Sequence, residues 1–226
     1  MRLGILGGAF DPIHTGHLDA AAAALRALAL DQVVFVPTHV PSHRDAPRAS
    51  RFHRFAMAAL AIQPHPAFVL SDLELSRPGP SYTAVTLRHF RSQGLASSQV
   101  FFITGVDAFA EIATWYDYPA VLDASHFVVV SRPGYRLDAL RARLPDLRHR
   151  FVDLGVAAAS SAPGAGTAVF LLQAETRDVS STEVRRRLAA GDAPDDRVPR
   201  AVTEYALRHR LYHPAPDAAG QLHDQE

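Results

Sequence analysis

The stretch LGILGGAFDPIHTGHL, residues 3–18, joins a buried strand to the start of a helix. Its first four residues form an apolar run, and Gly7-Gly8 follows where the backbone must turn sharply and a ligand can approach closely. Two imidazoles, His14 and His17, stand where an Ala- and Leu-rich helical segment begins. Free N–H groups and the positive end of the helix dipole favour a phosphate there. The stretch therefore predicts a strand–loop–helix unit that binds an anion.

The rest of the chain repeats this alternation of short apolar runs and helical segments. Continuously apolar runs are typical of strands that are buried on both faces of a parallel sheet. The candidate strands are residues 3–6, 33–36, 68–70, 100–103, 126–130 and 169–172, and the candidate helices are residues 16–30, 51–62, 82–91, 137–144, 181–190 and 199–208. This order predicts an α/β fold, namely a Rossmann-like doubly wound parallel sheet flanked by helices.

The chain has 226 residues and no change of composition that would mark a second domain. We predict one domain over residues 1–213. The small-residue stretch at about residues 155–167, GVAAASSAPGAGT, is interpreted as a flexible insertion. Residues 214–226 are polar and lack periodicity, which predicts a disordered tail.

Composition excludes several classes of protein. Hydrophobic residues make up 48% of the chain, as in a normal globular protein, and 23 basic residues balance 23 acidic ones. A protein that coats nucleic acid usually has a basic surplus. The chain contains no cysteine, which excludes disulfides and thiolate chemistry, and no apolar run approaches a bilayer span of about 20 residues. We expect a cytoplasmic protein with small-molecule partners rather than nucleic acid or membrane, and a homo-oligomer is compatible with the sequence.

A second candidate phosphate site lies at residues 179–185, VSSTEVR, which open a predicted helix. Ser181 or Thr182 can cap that helix, and a plain N-cap is the simpler interpretation. The functional interpretation adds Arg185, one turn into the helix, because arginine holds phosphate through bidentate, charge-assisted hydrogen bonds.

Taken together, the two stretches resemble the nucleotidyltransferase superfamily. GGAFDPIHTGHL resembles its GxFDPxHxGH signature, and VSSTEVR resembles its ISSTxIR signature. The resemblance implies that His14, His17 and Arg185 are catalytic and that Mg²⁺ accompanies ATP without a metal site held by the protein. The ATP-binding residues implied by the resemblance are Gly7, Gly8, Phe10, His14, Gly16, His17, Ser181, Thr182 and Arg185.

The middle of the chain is similar to the bacterial nicotinate-nucleotide adenylyltransferase family, and the resemblance covers about residues 1–212. The stretches that carry it are FVPTHVPSHR (35–44), PSYTAVTL (80–87), FITGVDAFAEIATWYDY (102–118) and VVSRPGY (129–135). The resemblance implies transfer of the adenylyl group of ATP to nicotinate mononucleotide, giving deamido-NAD (nicotinate adenine dinucleotide) and pyrophosphate, in NAD biosynthesis. The implied mononucleotide-binding residues are Thr38, His43, Arg44, Thr83, Asp107, Trp115 and Tyr116.

The chemistry of these residues suits a nicotinate ring. An indole face, here that of the only tryptophan, Trp115, attracts an electron-poor pyridinium. In the family, backbone N–H groups at the positions of Thr83 and Tyr116 hold the nicotinate carboxylate. A carboxylate only accepts hydrogen bonds, which favours nicotinate over nicotinamide mononucleotide. One departure from the family concerns Thr38 and His39, which stand where some close members have two asparagines.

Three alternatives remain open at this point. The chain could be an adenylyltransferase that acts on nicotinamide mononucleotide or on another phosphorylated acceptor such as phosphopantetheine. It could be a non-catalytic nucleotide-binding regulator. It could also be a metal hydrolase, since it has 12 histidines, with His39 and His43 four residues apart, although neither signature histidine has an acidic or cysteine partner at a known zinc spacing.

Overall fold

The structure, a computed structural model, describes residues 1–42, 45–131, 137–154, 166–192 and 195–213. The predicted tail and most of the predicted insertion, residues 155–165, lie outside this part of the chain. His43, Arg44 and residues 132–135 of the VVSRPGY stretch lie outside it as well. Among the described residues, no helix has both the length and the apolarity that a membrane span requires.

Seven strands form one wholly parallel sheet in the order β4-β2-β1-β6-β7-β9-β8. They are β1 (Leu3–Gly8), β2 (Gln32–Pro37), β4 (Phe68–Leu70), β6 (Val100–Gly105), β7 (His126–Val130), β8 (Phe151–Leu154) and β9 (Val169–Leu172). Two further short strands, β3 (Val40–Pro41) and β5 (Pro80–Ser81), pair with each other. The predicted parallel sheet is confirmed.

Helices cover both faces of the sheet. They are α1 (Thr15–Ala27), α2 (Arg51–Ile62), α3 (Thr83–Ser92), α4 (Val106–Phe109), α5 (Leu137–Arg143), α6 (Ser181–Ala189) and α7 (Arg200–Arg208). Alternate residues of a strand face opposite sides, so that Val33 and Phe35 of β2 pack under α1, α2, α6 and α7, while Val34 and Val36 pack under α3, α4 and α5. The central strands are mainly apolar because both of their faces are buried.

Helix α1 begins and ends earlier than its composition predicts. His14 is its N-cap and Thr15 its first residue, one position before the predicted start at about residue 16. The helix ends at Ala27 rather than at residue 30, because Ala29 takes a φ of +44° and the Leu30 N–H bonds to the Leu25 carbonyl. Leu30 is thereby buried in the core beneath the helix, and tertiary packing overrides helix propensity here.

Strand β8 is not among the strands predicted from the sequence. It lies at the edge of the sheet and pairs only with β9 among the described strands, through a register that places Phe151 opposite Val169. Phe151 and Val152 are partly exposed. Asp153 is exposed and forms an ion pair with Arg141 on α5. A short, half-exposed edge strand lacks the continuous apolar run that marks the central strands.

His126, the first residue of β7, links the stability of the fold to pH. The side chain is 2% exposed, and its Nδ1 accepts a hydrogen bond of 2.9 Å from the Ala168 N–H. Burial lowers the pKa of this imidazole, and the positive charge of Arg2 adds to the effect. Acid therefore protonates the unfolded chain, whose histidines titrate near pH 6.5, before it protonates the folded protein. We expect the free energy of unfolding to decrease as the pH falls below about 6.5.

Urea unfolding at about pH 7.5 and about pH 5.5 measures this decrease. The variant His126→Gln keeps an acceptor for the Ala168 N–H but does not titrate, so it should lose less stability between the two pH values than the wild type. The exposed His149→Gln should behave like the wild type. Equal losses in wild type and His126→Gln would contradict the assignment.

Candidate active site

The strand order reverses between β1 and β6, whose carboxyl ends lie side by side. In open parallel sheets, ligands bind in the crevice at this switch point. A cavity of about 620 Å³ lies here and is lined by Gly7 and Gly8 at the end of β1 and by Gly105 at the end of β6. Its volume suits a small-molecule ligand.

This single cavity is lined by most of the residues that the sequence analysis assigned to ATP or to the mononucleotide. They are Gly7, Gly8, Phe10, His14, Gly16, His17, Thr38, Thr83, Asp107, Trp115, Tyr116 and Ser181. Thr182 and Arg185 are not among the lining residues. The structure therefore brings residues that are far apart in the sequence into one cavity.

His14 and His17 lie together at the N-terminus of α1. Their rings stack with centroids 3.7 Å apart. The His14 backbone N–H donates to Nδ1 of His17 at 3.2 Å, so the neutral His17 ring carries its proton on Nε2. In a capping box, the side chain of the third helical residue, usually glutamate or glutamine, accepts a hydrogen bond from the backbone N–H of the N-cap residue. His17 takes that role here. The same contact that caps the helix thus makes Nε2 of His17 a hydrogen-bond donor.

Phe10 fixes the His17 ring from the other side. Its own ring meets that of His17 edge-on, with centroids 5.1 Å apart, and its backbone has a φ of +48°. A non-glycine residue in the left-handed region is uncommon and clusters at functional sites. A Cβ on Gly8 would lie 3.0 Å from the Phe10 ring, so Gly8 permits this packing. Phe10 and Gly8 therefore position the histidine pair.

The second motif sits against the first. Ser180, and not the predicted Ser181 or Thr182, is the N-cap of α6, because its Oγ accepts the Glu183 N–H at 3.2 Å. Ser181 is the first helical residue, and its Oγ instead donates to the Pro12 carbonyl at 3.0 Å. Because Ser181 does not cap the helix, its hydroxyl can bond to the first motif, and the residue also lines the cavity.

Arg185 lies next to the cavity rather than in its wall. Its guanidinium donates to the Asp11 carbonyl at 2.7 Å and to the Thr182 Oγ1 at 3.1 Å. The Asp11 carboxylate lies 3.8 Å from the same guanidinium. To contact a phosphate in the cavity, this side chain would have to exchange these bonds.

Arg177 is a lining residue that the sequence did not reveal. It stands just before the second motif, and its guanidinium is held by Asp19 of α1 through two hydrogen bonds of 3.0 Å. These bonds raise the pKa of Arg177. Its backbone carbonyl approaches α1 so closely that a Cβ on Gly16 would lie 3.2 Å away. Only the pairing of two distant segments brings this cation to the cavity, and no local pattern in the sequence marks it.

The other end of the cavity is aromatic. Trp115 packs edge-on against Phe102, with centroids 6.1 Å apart, while it lines the cavity. Tyr116 is 51% exposed and lies 4.6 Å, centroid to centroid, from Tyr82. Tyr82 is the N-cap of α3, so Thr83 begins the helix, and its backbone N–H has no carbonyl partner within the helix. Trp115 thus packs against the core residue Phe102 and also lines the cavity, where it can contact a ligand.

Thr38 and His39 point in different directions. Thr38 lines the cavity, and its N–H donates to the Gly8 carbonyl at 2.9 Å. His39 does not line the cavity; its Nδ1 bonds to the Arg77 carbonyl at 2.9 Å, and its N–H donates to the Ser81 Oγ at 3.0 Å. His39 therefore supports the cavity wall, and Thr38 is the residue of this pair that can face a ligand.

Among the described residues, no group of three or more histidines and carboxylates is placed to hold a metal ion. Asp107, at the start of α4, and Glu111 line the cavity as exposed carboxylates. Glu74 lines it as a buried one, and the sequence analysis did not point to this residue.

Sequence comparisons relate the chain to known proteins. The cytidylyltransferase-like family model matches residues 5–187. A relative from Shewanella baltica (strain OS185), named "Probable nicotinate-nucleotide adenylyltransferase", is 36% identical over 217 residues, which cover 95% of this chain and 100% of the relative. One of the same name from Shewanella frigidimarina (strain NCIMB 400) is 34% identical over 212 residues, or 94% of this chain and 100% of the relative.

A solved structure shares the fold. The Plasmodium falciparum nicotinic acid mononucleotide adenylyltransferase complexed with NaAD superposes with a TM-score of 0.66, covering 93% of this chain and 97% of that chain. The sequence identity is 17%, so this likeness concerns the fold.

Proposed function

This chain belongs to the cytidylyltransferase-like family and, within it, to the nicotinate-nucleotide adenylyltransferases, and from that membership we propose that it transfers the adenylyl group of ATP to nicotinate mononucleotide. The products are nicotinate adenine dinucleotide and pyrophosphate, and the reaction is a step of NAD biosynthesis. The observation that carries the proposal is that a single cavity contains the stacked His14 and His17 at one end and Trp115 at the other.

The reaction needs positioning and charge stabilisation but no covalent intermediate. A phosphate oxygen of the mononucleotide attacks the α-phosphorus of ATP, and the bond from that phosphorus to the α,β-bridging oxygen breaks. Negative charge builds up on the departing pyrophosphate, and hydrogen-bond donors that are already in place stabilise it. His14 and His17 supply these donors at the N-terminus of α1, where the helix dipole also favours negative charge.

The triphosphate enters as the Mg²⁺ complex of ATP. We assign the Mg²⁺ to phosphate and water oxygens, the ligands that this ion prefers. Ser181, Thr182 and Arg185 at the start of α6 are assigned to the β- and γ-phosphates. Arg185 would leave the Asp11 carbonyl to make this contact.

The acceptor lies at the aromatic end of the cavity. The Trp115 indole attracts the pyridinium ring by about 2 kcal/mol once water is excluded. The backbone N–H groups of Thr83 and Tyr116 are assigned to the nicotinate carboxylate, and Asp107 and Thr38 to the rest of the mononucleotide. Because those N–H groups only donate, the N–H₂ of a carboxamide would meet donors, and that mismatch costs about 1–3 kcal/mol.

Pyrophosphate release tests the proposal, with ATP and Mg²⁺ present and the acceptors compared in parallel. We expect kcat/KM to be about tenfold or more higher with nicotinate mononucleotide than with nicotinamide mononucleotide, and no turnover with phosphopantetheine. Equal rates with the first two would keep the enzyme class and contradict the assignment of carboxylate selectivity. Binding of ATP without turnover of any acceptor would contradict the proposed activity and support a nucleotide-binding regulator.

A further inference from the structure

Glu74 lies between β4 and β5 and combines two properties that no other described carboxylate combines. Its side chain is buried, with 8% of the residue exposed, and it lines the cavity. Asp11 is the other buried carboxylate of the described residues, and it does not line the cavity. Asp107 and Glu111 line the cavity but are exposed.

Hydroxyl groups from two walls of the cavity surround this carboxyl group. Its Oε1 accepts a hydrogen bond of 2.6 Å from Thr86 on α3. Burial raises the pKa of Glu74, and the hydroxyls of Thr86, Ser81 and Thr38 together with the charge of Arg77 oppose the increase. Its Oε2 is buried and has no donor in hydrogen-bonding geometry among the described residues. One carboxylate oxygen is thus engaged by the scaffold, and the other remains able to accept.

The backbone around Glu74 is fastened to the scaffold, so the carboxyl group is held in place. The next carbonyl, that of Leu75, accepts from Arg51 at 3.0 Å. His39 bonds to the Arg77 carbonyl on one side and donates to the Ser81 Oγ on the other. These contacts join the Glu74 segment to α2 and to the β3–β5 pair that borders the acceptor end of the cavity.

The position of Glu74 favours the acceptor mononucleotide over ATP as its ligand. Ser81 and Thr86, which lie beside the carboxyl group, flank Thr83, the residue assigned to the nicotinate carboxylate. The positive pyridinium ring and the ribose hydroxyls of the mononucleotide complement a negative acceptor. Its negative nicotinate carboxylate does not, and that group is assigned to the backbone N–H groups of Thr83 and Tyr116. ATP, bound at the histidine end, offers its phosphates to groups from α1 and α6.

We propose, on the basis of the proposed function, that Glu74 is a positioning residue specific to the acceptor mononucleotide. When the mononucleotide binds, Oε2 of Glu74, which has no donor in hydrogen-bonding geometry among the described residues, accepts the hydroxyl proton of Thr38, so that the lone pairs of Thr38 face the ligand. The negative charge of Glu74 complements the pyridinium ring. Glutamine in this place keeps an acceptor for Thr86 but presents N–H donors to the other hydroxyls and removes the charge.

Binding titrations test this role without relying on turnover. Trp115 is the only tryptophan and lines the cavity, so its fluorescence reports binding. For Glu74→Gln we expect the Kd for nicotinate mononucleotide to rise about tenfold and the Kd for ATP with Mg²⁺ to stay within about twofold. Thr86→Val, which removes the partner of Oε1, should weaken the same substrate about threefold. Glu175→Gln makes the same change at an exposed position outside the cavity and should bind both substrates like the wild type.

In steady-state kinetics, Glu74→Gln should show a higher KM for the mononucleotide and a nearly unchanged KM for ATP. The proposal is overturned if Glu74→Gln binds both substrates more weakly by the same factor. It is also overturned if the variant has the circular dichroism spectrum of the wild type and an unchanged Kd for the mononucleotide. If Glu74→Gln does not fold, Thr86→Val decides by the same criteria. A wild type that binds nicotinate mononucleotide but does not adenylylate it refutes only the proposed function, while a wild type that does not bind it overturns both.

Discussion

Replacing His17 with asparagine is expected to lower turnover about 100-fold or more while the Kd for nicotinate mononucleotide stays within about twofold. Asparagine ends near the position of the imidazole Nδ1, so its amide oxygen can still accept the His14 N–H and keep the start of α1 intact. Nothing remains at the position of Nε2. The variant thus separates capping from the stabilisation of charge on the departing pyrophosphate.

The companion variant His17→Gln complements the test. Glutamine is a usual capping-box residue at this position, so its amide oxygen can accept the His14 N–H, and its longer side chain brings an amide N–H closer to the position of Nε2. We therefore expect an intact helix start and more residual turnover than in His17→Asn. Initial rates at saturating substrates measure turnover, and thermal unfolding measures the helix effect. His149→Asn makes the same change at an exposed site and should be as active as the wild type. Wild-type turnover in His17→Asn would refute the catalytic role.

Replacing Asp11 with alanine is expected to lower the free energy of unfolding by about 3–5 kcal/mol. Asp11 is 4% exposed and Arg54 is 1% exposed. Burial lowers the pKa of Arg54, and the charge of Asp11 opposes this decrease, which is the sign of a stabilising interaction between the two. Removing the carboxylate leaves the buried Arg54 guanidinium without the opposing charge of Asp11. Its remaining acceptors among the described residues are the carbonyl oxygens of Ala9 and His39. Urea unfolding measured by circular dichroism gives the change in free energy.

Asp11 also fastens the first motif to distant parts of the chain. Its carboxylate accepts from the backbone N–H of Arg48 at 2.7 Å, from that of Ala49 at 3.1 Å and from the Tyr212 hydroxyl at 2.9 Å. Tyr212→Phe removes only one neutral donor and should cost about 1 kcal/mol. The difference between the two variants therefore measures the contribution of the charge and the backbone bonds.

Two controls separate charge loss from general disruption. Asp146→Ala, at an exposed position, should change stability by no more than about 0.5 kcal/mol. In the double variant Asp11→Ala/Arg54→Met the uncompensated charge is gone, so the loss should be smaller than the sum of the single losses. A strictly additive double variant would contradict the interaction between Asp11 and Arg54.

Much of the architecture was predictable because it depends on neighbouring residues. Apolar runs such as residues 100–103 and 126–130 indicated strands buried on both faces, and the sheet is parallel as this pattern predicts. The edge strand β8 was not predictable, since Asp153 and its half-exposed neighbours break the apolar pattern. The cap of α6 was predicted one or two residues too late, because three consecutive hydroxyl residues, Ser180 to Thr182, all suit that position and only the packing against Pro12 decides among them.

By itself the sequence determined the alternation of strands and helices, and it placed His14 and His17 at a helix start after a buried strand, because both follow from local periodicity and adjacent residues. Only the tertiary structure decided that Arg177 reaches Asp19, 158 positions away, and that Tyr212 reaches Asp11, 201 positions away. The physical reason is that a long-range polar contact depends on which distant segments pack together. Such a contact leaves no periodic signal in the chain.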